Sequence, residues 1–205
     1  MHESAIEAVL LRKRGLARAL ADEVEPAIRD LEAAACEFVV ADQPREHRAV
    51  LAEAATVASE RSSAERGQLL RERARRTADQ AQDPDALVDL DLLDAALAID
   101  RRDLDTALGL TLQARQRALE GSVPIKYLAA SVALSDLRDL RGEREDAYGA
   151  LSTGWATLED LMGDDAARAV VQPRLQRLVQ RWGVPQFRAV KTGYEQRHRR
   201  EVGSD

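Results

Sequence analysis

The stretch Ser131–Leu161 reads SVALSDLRDLRGEREDAYGALSTGWATLEDL, two amphipathic segments joined by a short polar turn. Within it the small residues Ser135, Ala147 and Gly154 are spaced by twelve and then by seven. Stepping upstream by 40, 80 and 120 residues gives Ala95, Ala107 and Ala114, then Ala55, Gly67 and Ala74, then Gly15, Ala27 and Ala34. Two small residues seven apart lie two turns apart on one helix face, where a neighbouring backbone can come close. The one twelve earlier, across the turn, sits where the first helix crosses the second. A helix pair cannot bury its apolar face alone. A fixed period near 40 residues therefore predicts that pairs stack into a helical array.

The punctuation of the chain fits this period. Asp42-Gln43-Pro44, Asp83-Pro84 and Gly121-Ser122-Val123-Pro124 break it, and each proline suits the first turn of the helix that follows. Predicted helices run over 4–21, on to about Val40, from 44 to about Glu60, from 84 to about Asp100, from 124 to Leu140 and from about Arg144 to Leu161. Ser62-Ser63-Ala64-Glu65 reads as a capping box, with Ser62 as the cap and Glu65 three residues on. Glu37-Phe38-Val39-Val40 has β-branched character, but a lone strand would have no partner.

The spacing of small residues resembles the tetratricopeptide repeat, whose helix–turn–helix unit carries one small residue in its first helix and two in its second. The segments Arg101-Arg102-Asp103-Leu104-Asp105-Thr106-Ala107-Leu108 and Arg141-Gly142-Glu143-Arg144-Glu145-Asp146-Ala147-Tyr148 look like the family's turn and second-helix start. The match covers about residues 5–160. It implies an all-α, right-handed solenoid of antiparallel helix pairs forming one domain over 1–205, with repeats at about 4–42, 44–81, 83–121 and 123–163. The usual period is 34 residues, so each helix here would be about three residues longer. Where Leu11 and Leu51 stand in the first two repeats, the later ones carry Asp91 and Ser131.

After Gly163 the small-residue pattern fails: Leu175, Phe187 and Tyr194 occupy the expected small positions. Two helices, 165–182 and 185–200, are predicted here. Terminal units of an array cover its open end, and Trp182, Phe187 and Tyr194 suit a capping pair over 164–202. The tail Arg197-His198-Arg199-Arg200 reads as solvated.

Composition narrows the function classes. Hydrophobic residues make up 45% of the chain but aromatics only 3%, so the core must be Leu, Ala and Val. A net charge of −6 argues against broad nucleic-acid binding, which needs excess Lys and Arg. The helix carrying Arg66, Arg71, Arg73, Arg75 and Arg76 has no interleaved aromatic to stack a base, so it reads as a solvated or salt-bridged face. Asp85, Asp89, Asp91 and Asp94 lack the alternation and glycine of a calcium loop. His2, His47 and His198 have no ligand spacing. No phosphate loop or nucleophile elbow is present. The expectation is a non-enzyme without cofactor or metal. The single cysteine, Cys36, reads as a small buried residue and suits a reducing compartment. The start, MHESAIEAVLLRKRG, has acid before its apolar run, the wrong order for a signal peptide. No apolar run approaches the ~18 residues of a membrane span. A soluble cytoplasmic protein is expected.

The expected function is partner binding. The resemblance implies that the first helix of each pair lines a concave groove. The groove-facing positions would be Val9, Arg12, Leu16 and Ala19; Ala49, Ala52, Thr56 and Ser59; Asp89, Leu92, Ala96 and Ile99; Ala129, Val132, Asp136 and Asp139. Of these, Arg12, Leu16, Thr56, Ser59, Asp89, Leu92, Val132, Asp136 and Asp139 are the candidate partner contacts. Some family members bind a C-terminal carboxylate with Lys, Asn and Arg at such positions, and only Arg12 fits that chemistry. An apolar helix or an extended peptide is the better occupant. Two alternatives stand beside it: a regulatory or sensor domain acting with a separate transcription or signalling partner, and a homo-oligomerising scaffold.

Overall fold

The structure, a computed structural model, describes residues 2–202, which form ten helices and no strand. They are α1 (His2–Leu20), α2 (Val24–Val40), α3 (Pro44–Arg61), α4 (Ala64–Gln80), α5 (Pro84–Asp100), α6 (Leu104–Glu120), α7 (Pro124–Leu140), α8 (Arg144–Met162), α9 (Asp164–Trp182) and α10 (Val184–Val202). Two compact units divide between Leu93 and Asp94.

A turn device spaced at multiples of 20 residues, absent at the α3–α4 junction where Ser62 is extended, sets the helix lengths. Asp22, Asp42, Gln82, Arg102, Ser122 and Gly142 all have positive φ, between 50° and 80°. At the first of them the Asp22 N–H donates to the Ala19 carbonyl and the Glu23 N–H to the Arg18 carbonyl, at 3.2 and 2.9 Å. These paired bonds form a Schellman motif, which satisfies the carbonyls that a helix end leaves open. The same pairing recurs at Asp42, Gln82, Arg102, Ser122 and Gly142. A three-residue turn in a 20-residue period leaves 17 residues of helix, the length of α2, α4, α5, α6 and α7. At Gly163 and Gly183 the turn shrinks to one residue, with φ near 80° and ψ near 155°, a conformation open essentially to glycine.

In the first unit α2 packs against both α1 and α3, and α3 against α4. Phe38, Ile28, Leu31, Leu51 and Val50 are its largest fully buried side chains before α5. The crossings are close. A Cβ on Gly15 would stand 2.9 Å from Leu31 Cγ, and one on Gly67 would stand 2.8 Å from Ser59 Cα. Charge is buried here only with partners. Asp30 accepts two bonds from Arg14 and one from Arg18, all at 2.7 Å. The bond from Arg14 holds the Asp30 carboxyl below its ordinary range. Asp91, fully buried, accepts a 2.7 Å bond from Arg75. Asp91 occupies the position of Leu51 one repeat earlier, so a charge pair fills a site that a leucine fills there.

In the second unit α7 packs between α6 and α8, α8 packs on α9, and α10 rests on both α8 and α9. Ala98, Ala107 and Leu137 form one buried cluster, flanked by Ile99, Leu104 and Leu108. The seat of α10 on α8 is reciprocal. A Cβ on Gly149 would meet the Tyr194 ring at 2.6 Å, and one on Gly193 would meet the Glu145 carboxylate at 2.5 Å. Tyr148 makes edge contacts with Phe187 and Tyr194, at centroid distances of 5.7 and 5.4 Å.

All twelve small residues of the 40-residue period are buried. Three local expectations are corrected. The cap of α4 is Ser63, whose Oγ accepts from the Arg66 N–H at 3.2 Å, while Ser62 donates to Glu25. Glu65 therefore falls at the second helical position and closes no box. Cys36 is exposed, because it lies on the outward side of α2 between the buried Ala35 and Phe38. Arg197 is not simply solvated: it donates to Asp146 of α8 at 2.7 Å. The side chain of Arg200 lies outside the described residues.

Candidate functional site

The polar groove candidates of the first unit are engaged within the chain. Arg12 of α1 forks onto Glu53 of α3 at 3.0 and 2.5 Å. That hydrogen bond, first among its causes, raises the Arg12 pKa further. Thr56 donates back to the Ala52 carbonyl of its own helix at 3.0 Å. Ser59 accepts from Arg71 of α4 at 2.6 Å. The expected salt-bridged reading of α4 holds for Arg66, which donates to Glu32 at 2.7 Å, and for Arg75. Leu16 is 36% exposed, Asp89 is exposed and Leu92 is half-buried. The stripe reaches solvent, but Arg12, Thr56 and Ser59 serve helix packing first.

In the second unit the candidates come together with residues that the sequence reading assigned to a cap. Asp136 and Asp139 of α7 both accept from Arg181 of α9, at 3.1 and 2.8 Å. Asp139 also accepts from the indole N–H of Trp182 at 2.8 Å, and its side chain is only 11% exposed. Asp139 is therefore an anchor for the end of α9 rather than a free groove ligand. The hydrogen bond to Asp139 is the leading cause that raises the Arg181 pKa.

Above this anchor lies a small cleft of about 40 Å³ between α7 and α9, lined by Val132, Ser135, Asp136, Arg174, Arg177 and Arg181. Arg174, Arg177 and Arg181 fall at intervals of three and four, on one face of α9. Arg181 is held by its two aspartates. Arg174, half-buried, and Arg177, exposed, make no ion pair with the described residues. Ser135 Oγ is buried and has no hydrogen-bond partner among the described residues. A half-buried valine between surplus guanidinium groups is suited to an apolar side chain flanked by carboxylates. The missed signal was the arginine spacing in RLQRLVQR, which lay within the presumed cap.

Among the described residues no group of His, Cys, Asp and Glu is arranged to hold a metal, and no helix is long and apolar enough to cross a membrane. Comparison with known proteins finds no matching family model, no matching curated sequence and no matching solved structure.

Proposed function

We propose that the chain is a tetratricopeptide-like interaction module that binds a partner peptide along the first-helix faces, with the α7–α9 cleft as its most selective point. The observation that carries this is the surplus of Arg174 and Arg177 beside half-buried Val132, on a face where Arg181 is already neutralised. Such a face favours peptides that place an acidic residue next to an apolar one. Each guanidinium can fork onto a carboxylate, and at half-buried Arg174 partial desolvation strengthens that bond.

Selection from a displayed random-peptide library tests it. Enriched peptides should pair Asp or Glu with Leu, Ile or Phe. The double substitution Arg174→Glu, Arg177→Glu should abolish their binding, and so should Val132→Asp. Reversal of Arg71 and Arg75 is a poorer control, because Arg75 holds buried Asp91. Arg76, exposed on the same helix, is the better one. Enrichment of basic peptides, or binding indifferent to Arg174 and Arg177, would overturn the reading.

A further inference from the structure

On the other side of α9 lies a second and larger cavity, about 310 Å³, lined by α8, α9 and α10 and open on one side to solvent. That volume is at the lower end of the roughly 300–1,000 Å³ of small-molecule pockets. Its walls are unusual for this chain. Only seven residues of the 205 are aromatic, and three of them, Tyr148, Trp155 and Phe187, line this one space. Tyr148 and Phe187 form a fixed corner, their rings 5.7 Å apart at 78°. Gln172 and Gln176, one turn apart on α9, bring two amides to it. Lys191 of α10 is the sole charged residue in the lining. Among the described residues its ammonium pairs with Glu195 of its own helix, at 3.7 Å, in a pair about half exposed on both sides. A pair of that kind is worth little and is easily exchanged.

We infer that this cavity is a binding site for a planar aromatic carboxylate. Three ring faces and edges select a flat apolar body over an aliphatic one. The lone lysine selects an anion and rejects the cation that an aromatic lining would otherwise welcome. The two glutamines serve the ring substituents or the second carboxylate oxygen. The site does not depend on the peptide reading of the α7–α9 cleft, since the two share no lining residue.

The test uses indole-3-acetate and its uncharged analogue indole-3-acetamide as probes, with the full chain. The readouts are calorimetry and the indole N–H signals of the two tryptophans. The Trp155 signal should move on titration of the acid, and that of Trp182, whose N–H is bonded to Asp139, should move less. The acid should bind with a Kd of about 1 mM or tighter and the amide about tenfold more weakly. Lys191→Gln should remove that preference while the amide's affinity stays unchanged. Leu175→Trp, which fills the cavity, should abolish binding of both, with helicity retained. The proposal fails if the acid does not saturate, if acid and amide bind alike, or if Lys191→Gln leaves the acid's Kd unchanged.

Discussion

Alanine at two helix-interior glycines should give opposite results. Gly67 of α4 stands at a small position of the 40-residue period, and Gly109 of α6 does not. A Cβ at 67 would lie 2.8 Å from Ser59 Cα, 3.1 Å from its nitrogen and 3.0 Å from its Oγ. Two of those atoms are backbone, so α3 itself must move. A Cβ at 109 meets nothing within 4 Å. Both substitutions gain the same helix propensity, about 0.5–1 kcal/mol over glycine. Only Gly67→Ala also incurs overpacking, typically about 1–3 kcal/mol. The propensity gain cancels between the two, so their difference isolates the crowding. Gly109→Ala should be stabilised by about 0.5–1 kcal/mol. Gly67→Ala should be neutral to destabilised by about 2.5 kcal/mol, the crowding cost less the same gain. Urea denaturation followed by helical circular dichroism reads both. Equal stabilisation of the two variants would refute the close crossing of α3 and α4, and with it the argument that the small residues mark helix contacts.

The turns supply a second test: Arg102→Gly should stabilise by about 0.5–1 kcal/mol by relieving its φ of 61°, while Gly142→Ala should cost about 1 kcal/mol, both read from urea midpoints. A third concerns pH. The Asp30 pKa is lowered in the folded state, so its contribution is present above the unfolded value near 3.9 and is lost as pH falls through the lower folded value. Asp30→Asn should therefore be less stable than the parent at pH 7 and converge on it as pH falls through the lowered folded value, and a pH-independent gap would contradict this. A fourth addresses the seat of α10: Gly149→Ala should destabilise the parent but much less so a Tyr194→Ala background, because the ring it would strike is gone, and additive effects in the thermodynamic cycle would argue against the contact.

The helices were legible because their boundaries are written in residues with fixed backbone consequences. Pro44, Pro84 and Pro124 each open a helix, and Gly142, Gly163 and Gly183 each lie in the turn after one. The small positions were legible for a related reason: only Ala, Gly or Ser lets two backbones approach, so a spacing of such residues is a spacing of contacts. The 20-residue turn device was harder to see. Five of its six left-handed positions hold Asp, Gln, Arg or Ser, where the usual glycine signature is absent and hydrogen bonding with packing over-determines the conformation.

Site chemistry was the least legible, because a stripe of polar residues does not state which of its charges are already spent. Arg12 looked like an anion ligand until Glu53, 41 residues on, claimed it. Asp136 and Asp139 looked like an acidic rim until Arg181, more than 40 residues on, neutralised them. In both cases the claimant comes from the next first helix along the chain, α3 for α1 and α9 for α7. The binding character of a face is then the remainder after its neighbour's charges are subtracted. For α7 that subtraction turns a stripe that reads as acidic into one whose surplus is basic, because α9 brings three arginines to the cleft and Asp136 with Asp139 occupies only one. On the reading proposed above, selectivity would lie at Arg174 and Arg177 rather than at the aspartates, and an acidic partner would be the one drawn to this face.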